Sequence, residues 1–174
     1  MLAVGAPTST PSRQFSAAIV GGTWPCTDPS AFQAAAHAQH QKAMALLECA
    51  ERTRADADRV RADQRGDLVD GFTGACDRQA AIFVHQADQW FSISRISTEC
   101  AWSTDGLRHE LDGIDERAHH AIDQILRTAT GPAAALAAQR VMAVVAAARA
   151  EATAKGAEYA ATISAKGVEI GVKA

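Results

Sequence analysis

Aromatic side chains are scarce in this chain of 174 residues: five Phe, three Trp and one Tyr. Strands draw on Val, Ile, Thr and aromatics at a period of two, and no stretch here alternates for long, so a β-sandwich or barrel is excluded as the expected fold. Long apolar runs are missing as well. The most apolar window, Pro132 to Ala148, contains Gln139 and Arg140 and falls short of the ~20 continuous apolar residues of a membrane span. Met1 to Arg13 carries no charged segment ahead of an apolar one, so no secretory signal peptide is expected. The net charge is only -3, with both signs mixed, which offers no basic surface for nucleic acid.

What the chain has in abundance is alanine, 40 residues by count. Alanine is the strongest helix former but buries little area per residue. The expectation is an all-α single domain: an elongated antiparallel helical hairpin, a third Ala-rich helix and an irregular N-terminal arm. Arginine outnumbers lysine by 13 to four, which together with the alanine excess resembles a GC-rich actinobacterial coding bias.

Residues 1–27 hold Pro7, Pro11, Gly21, Gly22 and Pro25 among Ser and Thr and read as the irregular arm, with Phe15 to Val20 free to pack. Asp28 then suits a helix N-cap and Pro29 a first helical position. Phe32, Ala36, Ala43, Leu47, Ala50, Ala57 and Val60 recur as one narrow apolar stripe. The face opposite is laced with charges of both signs, as on a solvated helix surface. Three glycines with Asp67 and Asp70 place the chain reversal near 66–74, with Thr73 as the cap of the next helix. Beyond it Phe83, Trp90, Ile93, Cys100, Leu107, Leu111, Ile114, Ala118, Ala121 and Ile125 alternate steps of three and four, the mark of a coiled-coil seam. Ser103 to Gly106 is its weak point. The hairpin so read spans 28–128. The Ala-rich helix and its frayed end occupy 129–174, with Pro132 in the first turn and Leu136, Val141, Val144, Val145, Ala148 and Tyr159 as its larger contacts.

Candidate chemistry is sparse. There is no GxSxG, GxxxxGK[ST], HExxH or GxGxxG signature, so no enzyme is expected, and no cofactor. Asp112, Asp115 and Glu116 lie near Arg108 and Arg117 and read as solvated ion pairs. A reversal centred near Gly74 sets His40 against His109, yet a zinc site needs three or four converging ligands, so no metal is assigned. The same register pairs Cys49 with Cys100 as a possible disulfide stapling the hairpin. Cys26, Cys49, Cys76 and Cys100 are too far apart for a CxxC motif, and two states fit them: four small thiols in a reducing compartment, or bridges outside it. Trp90 and Phe91 read as seam contacts. Trp24 and Trp102 are candidates for a partner surface.

Gly21 to Trp24, the helix start at Asp28 with Phe32, the Gly-rich reversal and the second long helix together resemble the N-terminal module of mycobacterial Esp and PPE-like substrates of type VII (ESX) secretion, relatives of the WxG helical hairpins. The resemblance covers about residues 21–128. Val69-Asp70-Gly71, followed by Phe72, stands in place of the family's Trp-x-Gly. Tyr159 is followed four residues later by Ile163, where the family's export signal carries an acidic residue. The resemblance implies a secretion-associated substrate or substrate partner acting by helix-to-helix association. Its expected partner is a helical protein, in a hetero- or homo-oligomer, or a secretion chaperone, bound through Trp24, Val69, Gly71 and Phe72. It also implies a secreted or envelope-associated location reached without a signal peptide. The alternative is a cytoplasmic helical-bundle adaptor or regulator of unrelated role.

Overall fold

A computed structural model describes residues 9–129 and 133–173. Four helices make up the described chain: α1 (Ser16–Ile19), α2 (Pro29–Asp63), α3 (Asp67–Thr128) and α4 (Ala133–Lys173), with no strand among the described residues. The fold is therefore all-α, as the composition requires. The expected single domain is instead divided into two compact units, one of Phe32–Glu99 with Gly167–Ala174, the other of the arm to Ala31 with Cys100–Lys166.

α2 starts where its sequence says. The Asp28 carboxylate accepts the Ser30 N–H at 3.0 Å, and Pro29, which has no N–H to satisfy, opens the helix. That bond, reinforced by the Ser30 hydroxyl and more weakly by the Arg108 charge, holds the Asp28 carboxyl below its ordinary pKa.

In the unit of Phe32–Glu99, α2 and the first half of α3 run antiparallel. Ala36, Ala43, Ala50 and Ala57, seven apart, are buried on α2, and Thr73, Ala80, Ala87 and Ser94, also seven apart, are buried on α3. Side chains this small let two helix backbones approach closely. The Ser94 hydroxyl accordingly reaches across to the Ala36 carbonyl at 2.8 Å, and the Ser97 hydroxyl donates to Gln39 Oε1 at 2.8 Å. Both stripes need the same correction: the alanines of the expected α2 stripe are buried, but its larger members Phe32, Leu47 and Val60, like Phe83 and Trp90 on α3, are only half-buried. An aromatic residue does not fit between backbones held apart by single methyl groups.

The reversal is tighter and earlier than 66–74. Gln64 still donates to the Val60 carbonyl, and among the described residues Gly66 alone has positive φ, +123°. The Gly66 carbonyl then accepts from Val69 and Asp70, so α3 is under way by Asp67. Asp67 and Asp70 in its first turn favour the positive end of the helix dipole. Gly71 and Gly74 are therefore helical, and Thr73 is a buried seam residue rather than a cap.

The other unit contains the larger core. Leu107, Leu111, Ile114, Ala118 and Ile122 of α3 pack with Val141, Val145, Ala148 and Ala152 of α4 and with Ile19 and Val20 of the arm. Leu136, expected among the α4 contacts, is exposed. The antiparallel α3–α4 pair is tied by Arg117–Glu151 at 2.8 Å and Lys155–Glu110 at 3.4 Å. α3 does not break at Ser103 to Gly106. Thr104 donates to the Cys100 carbonyl of its own helix at 2.8 Å and meets the Tyr159 hydroxyl at 2.9 Å, so its side chain is satisfied without unwinding the turn. α4 continues through Gly167 and Gly171 to Lys173 instead of fraying. The boundary expected at Ala129 to Pro132 falls largely on residues outside the described ones.

Candidate functional site

The N-terminal arm is less irregular than expected, because α1 is pinned to α3 by a polar cluster. Asp115 is fully buried and receives the Ser16 hydroxyl at 2.7 Å and Arg13 Nη1 at 2.7 Å. Arg13 also pairs with Asp112 at 3.3 Å, and chiefly its bond to Asp115 raises the guanidinium pKa further. His119 completes the cluster. Its Nε2 accepts the Phe15 N–H at 3.2 Å, which leaves the ring proton on Nδ1, 2.8 Å from the Asp115 carbonyl oxygen. Thus Asp115, read from sequence as solvated, anchors the arm together with His119.

Ser, His and Asp meet here without forming a nucleophile and its base. Nucleophilic catalysis needs the hydroxyl against the imidazole and open to substrate. Ser16 is fully buried, its hydroxyl goes to Asp115, and His119 Nε2 is occupied by a backbone amide. The geometry serves docking.

One α3 turn from Leu111, Arg108 is also buried, at 4% exposure, where a solvated ion pair was expected. Its Nη2 donates to the Thr27 carbonyl at 3.1 Å, while its Nε is buried without a partner. Beside it lies a cavity of about 430 Å³ with Ser9, Thr10, Trp24 and Cys26 in its walls. Trp24 is half-buried and packs on the larger core, so only part of its ring is available to a partner.

Val69, Gly71 and Phe72 lie on the first turns of α3 rather than in a turn. Phe72 is 50% exposed, and Leu68, one helical turn before it and overlooked in the sequence, is 89% exposed. Gly71 is exposed, whereas Val69 is half-buried beside Arg61, Gln64 and Arg65. The close of the hairpin thus presents two large apolar side chains on consecutive turns. Arg61 bridges the two helices there by pairing with Asp58 and Asp77. Trp102 is exposed as well, at 68%.

The earlier reversal changes the register. His40 meets the Phe91 ring edge-on at 5.1 Å, not His109, and Lys42 Nζ sits 3.9 Å above the Trp90 ring. Cys49 lies between His40, which faces Phe91, and Arg61, which faces Asp77; its counterpart on α3 therefore lies between 77 and 91. Cys49 is exposed and Cys100 is buried, so the expected Cys49–Cys100 bridge does not fit this hairpin. Among the described residues no three His, Cys, Asp or Glu side chains are grouped to hold a metal ion, and no helix is long and apolar enough to cross a membrane.

No family model, curated protein or solved structure matches this chain.

Proposed function

We propose that this chain is a non-catalytic helix-association protein that docks a helical partner on the closed end of its hairpin. The observation that carries this reading is the pair Leu68 and Phe72, exposed one turn apart at the start of α3. An apolar pair at i and i+4 is the spacing with which one helix offers anchors to another. The alanine seam behind it supports the same reading. Because it buries only about one methyl per contact, the hairpin gains stability from a partner that covers more apolar area.

The resemblance to type VII secretion substrates and their partners adds a biological setting. In it, the partner is a helical secretion partner or chaperone, and the chain leaves the cell without a cleaved signal. The exposed residues to which that setting gives a role are Phe72 and Gly71, with Leu68 beside them.

Replacing Leu68 and Phe72 by Asp tests the docking reading, since both side chains are exposed and their loss leaves the seam intact. The double variant is expected to keep wild-type helicity while losing co-purification with the partner from its host. Undiminished co-purification contradicts the reading. Export is tested separately by comparing culture filtrates of the host and a derivative lacking its type VII machinery; equal cytosolic retention in both removes the secretion setting and leaves the cytoplasmic adaptor.

A further inference from the structure

Arg108 is a buried cation with no carboxylate in contact among the described residues. Its neighbour Asp28 is committed to capping α2 through the Ser30 N–H and influences Arg108 only through its more distant charge. The guanidinium has five N–H donors; one is given to the Thr27 carbonyl, and Nε, also buried, is given to nothing. Taking a charge out of water without a counter-charge or full hydrogen bonding is costly, and an oxyanion placed beside the guanidinium offsets that cost.

Arg108 does not stand against solid packing. It forms part of the wall of that cavity, an open groove of about 430 Å³. Ser9 and Thr10, residues that carry hydroxyl groups, and the aromatic Trp24 line the same wall. The planar fork of arginine matches the oxygens of a carboxylate or phosphate, and hydroxyls complete such a site as neutral donors.

We propose that this cavity binds a small-molecule oxyanion, a carboxylate or phosphate group whose oxygens pair with Arg108 while the rest of the ligand lies beside Trp24. The site is distinct from the hairpin end, and its occupation ties the arm to α3 through Arg108 and Thr27. A ligand there stabilises the folded chain by mass action.

The test is an NMR titration of the full chain with sodium phosphate and, separately, sodium acetate at constant ionic strength, following the Arg108 Nε–H, the Trp24 indole N–H and the backbone amides. The expected result is a saturable shift centred on Arg108, Trp24, Ser9 and Thr10, half-complete below about 5 mM for at least one anion. Saturation with phosphate alone assigns phosphate-bearing ligands, and with acetate alone carboxylates; linear drift with both overturns the proposal. Arg108→Gln is expected to weaken binding at least tenfold. Should that variant lose its helical circular dichroism, Ser9→Ala with Thr10→Val, which alters only the cavity wall, is expected to weaken it at least threefold. An unchanged half-saturation in whichever variant is folded overturns the proposal.

Discussion

Ser16 and Asp115, 99 positions apart in the chain, share a fully buried hydrogen bond of 2.7 Å. That bond converts a Pro- and Gly-punctuated arm into part of a core. It brings Ile19 and Val20 onto Leu107, Leu111 and the α4 valines, and it places Arg13 and His119 around one carboxylate, with the Phe15 N–H on His119.

Truncating the two partners has unequal consequences. Asp115→Ala leaves Ser16 buried without its acceptor and removes two hydrogen bonds to a charged acceptor, from Ser16 and Arg13, a loss of about 3–6 kcal/mol. Ser16→Ala removes one hydrogen bond to a charged acceptor, about 1.5–3 kcal/mol. Arg13→Ala costs about 1–3 kcal/mol, because that side chain is 39% exposed and partly screened by solvent but the Asp115 carboxylate it leaves behind is fully buried. Urea unfolding of the three variants checks the order; an Arg13→Ala loss equal to that of Asp115→Ala contradicts it.

Two glycines five residues apart respond with opposite sign. Gly66→Ala forces a side chain to φ +123° and is expected to cost about 1–3 kcal/mol by strain, there being no clash within 4 Å. Gly71→Ala fills an exposed helical position with nothing within 4 Å and is expected to stabilise by about 0.5–1 kcal/mol. Thermal unfolding of both variants locates the reversal; two destabilised variants mean that the turn extends to Gly71.

This contrast shows what the sequence could and could not convey. The start of α2 was legible, because Asp28 and Pro29 act on neighbouring backbone. The α2 seam was legible from alanines at sevens. The reversal was not, since Gly66, Gly71 and Gly74 look alike in sequence and only packing of α3 on α2 decides which of them turns. An error of a few residues there moved every facing pair, and with them His40–His109 and Cys49–Cys100. The Asp115 cluster and the burial of Arg108 were illegible for another reason. Both arise when the arm returns to α3 from about a hundred residues away, and a helical pattern carries no trace of that contact.

The helix cap at Asp28 contributes a pH dependence of known sign. The folded-state carboxyl pKa lies below the ordinary 3.8, chiefly through the Ser30 N–H bond. The stabilisation is therefore present above the unfolded value and is lost as pH falls through the lower, folded one. The difference in urea midpoint between wild type and Asp28→Ala should be constant above about pH 5 and shrink below 3.8. A difference that grows on acidification contradicts the cap.

Amide hydrogen exchange should separate the two compact units. Ile19, Leu111, Ile122 and Val20 are fully buried in one, whereas among the described residues Ile96 is the single comparable hydrophobic side chain in the other. Amides around Ala43, Ala50, Ala80 and Ala87 are expected to exchange at least about tenfold faster than those around Leu111 and Val145. Equal protection would mean that the alanine seam is as strong as the larger core.

The association reading is tested most directly by placing a photo-crosslinking benzoylphenylalanine at position 72 in the native host, with the same group at the exposed Arg54 as control. Position 72 is expected to yield one discrete adduct with a helical protein, lost when Leu68 is replaced by Asp. Position 54 is expected to yield none. The absence of an adduct at 72, or the same adduct from both positions, would contradict docking at the end of the hairpin.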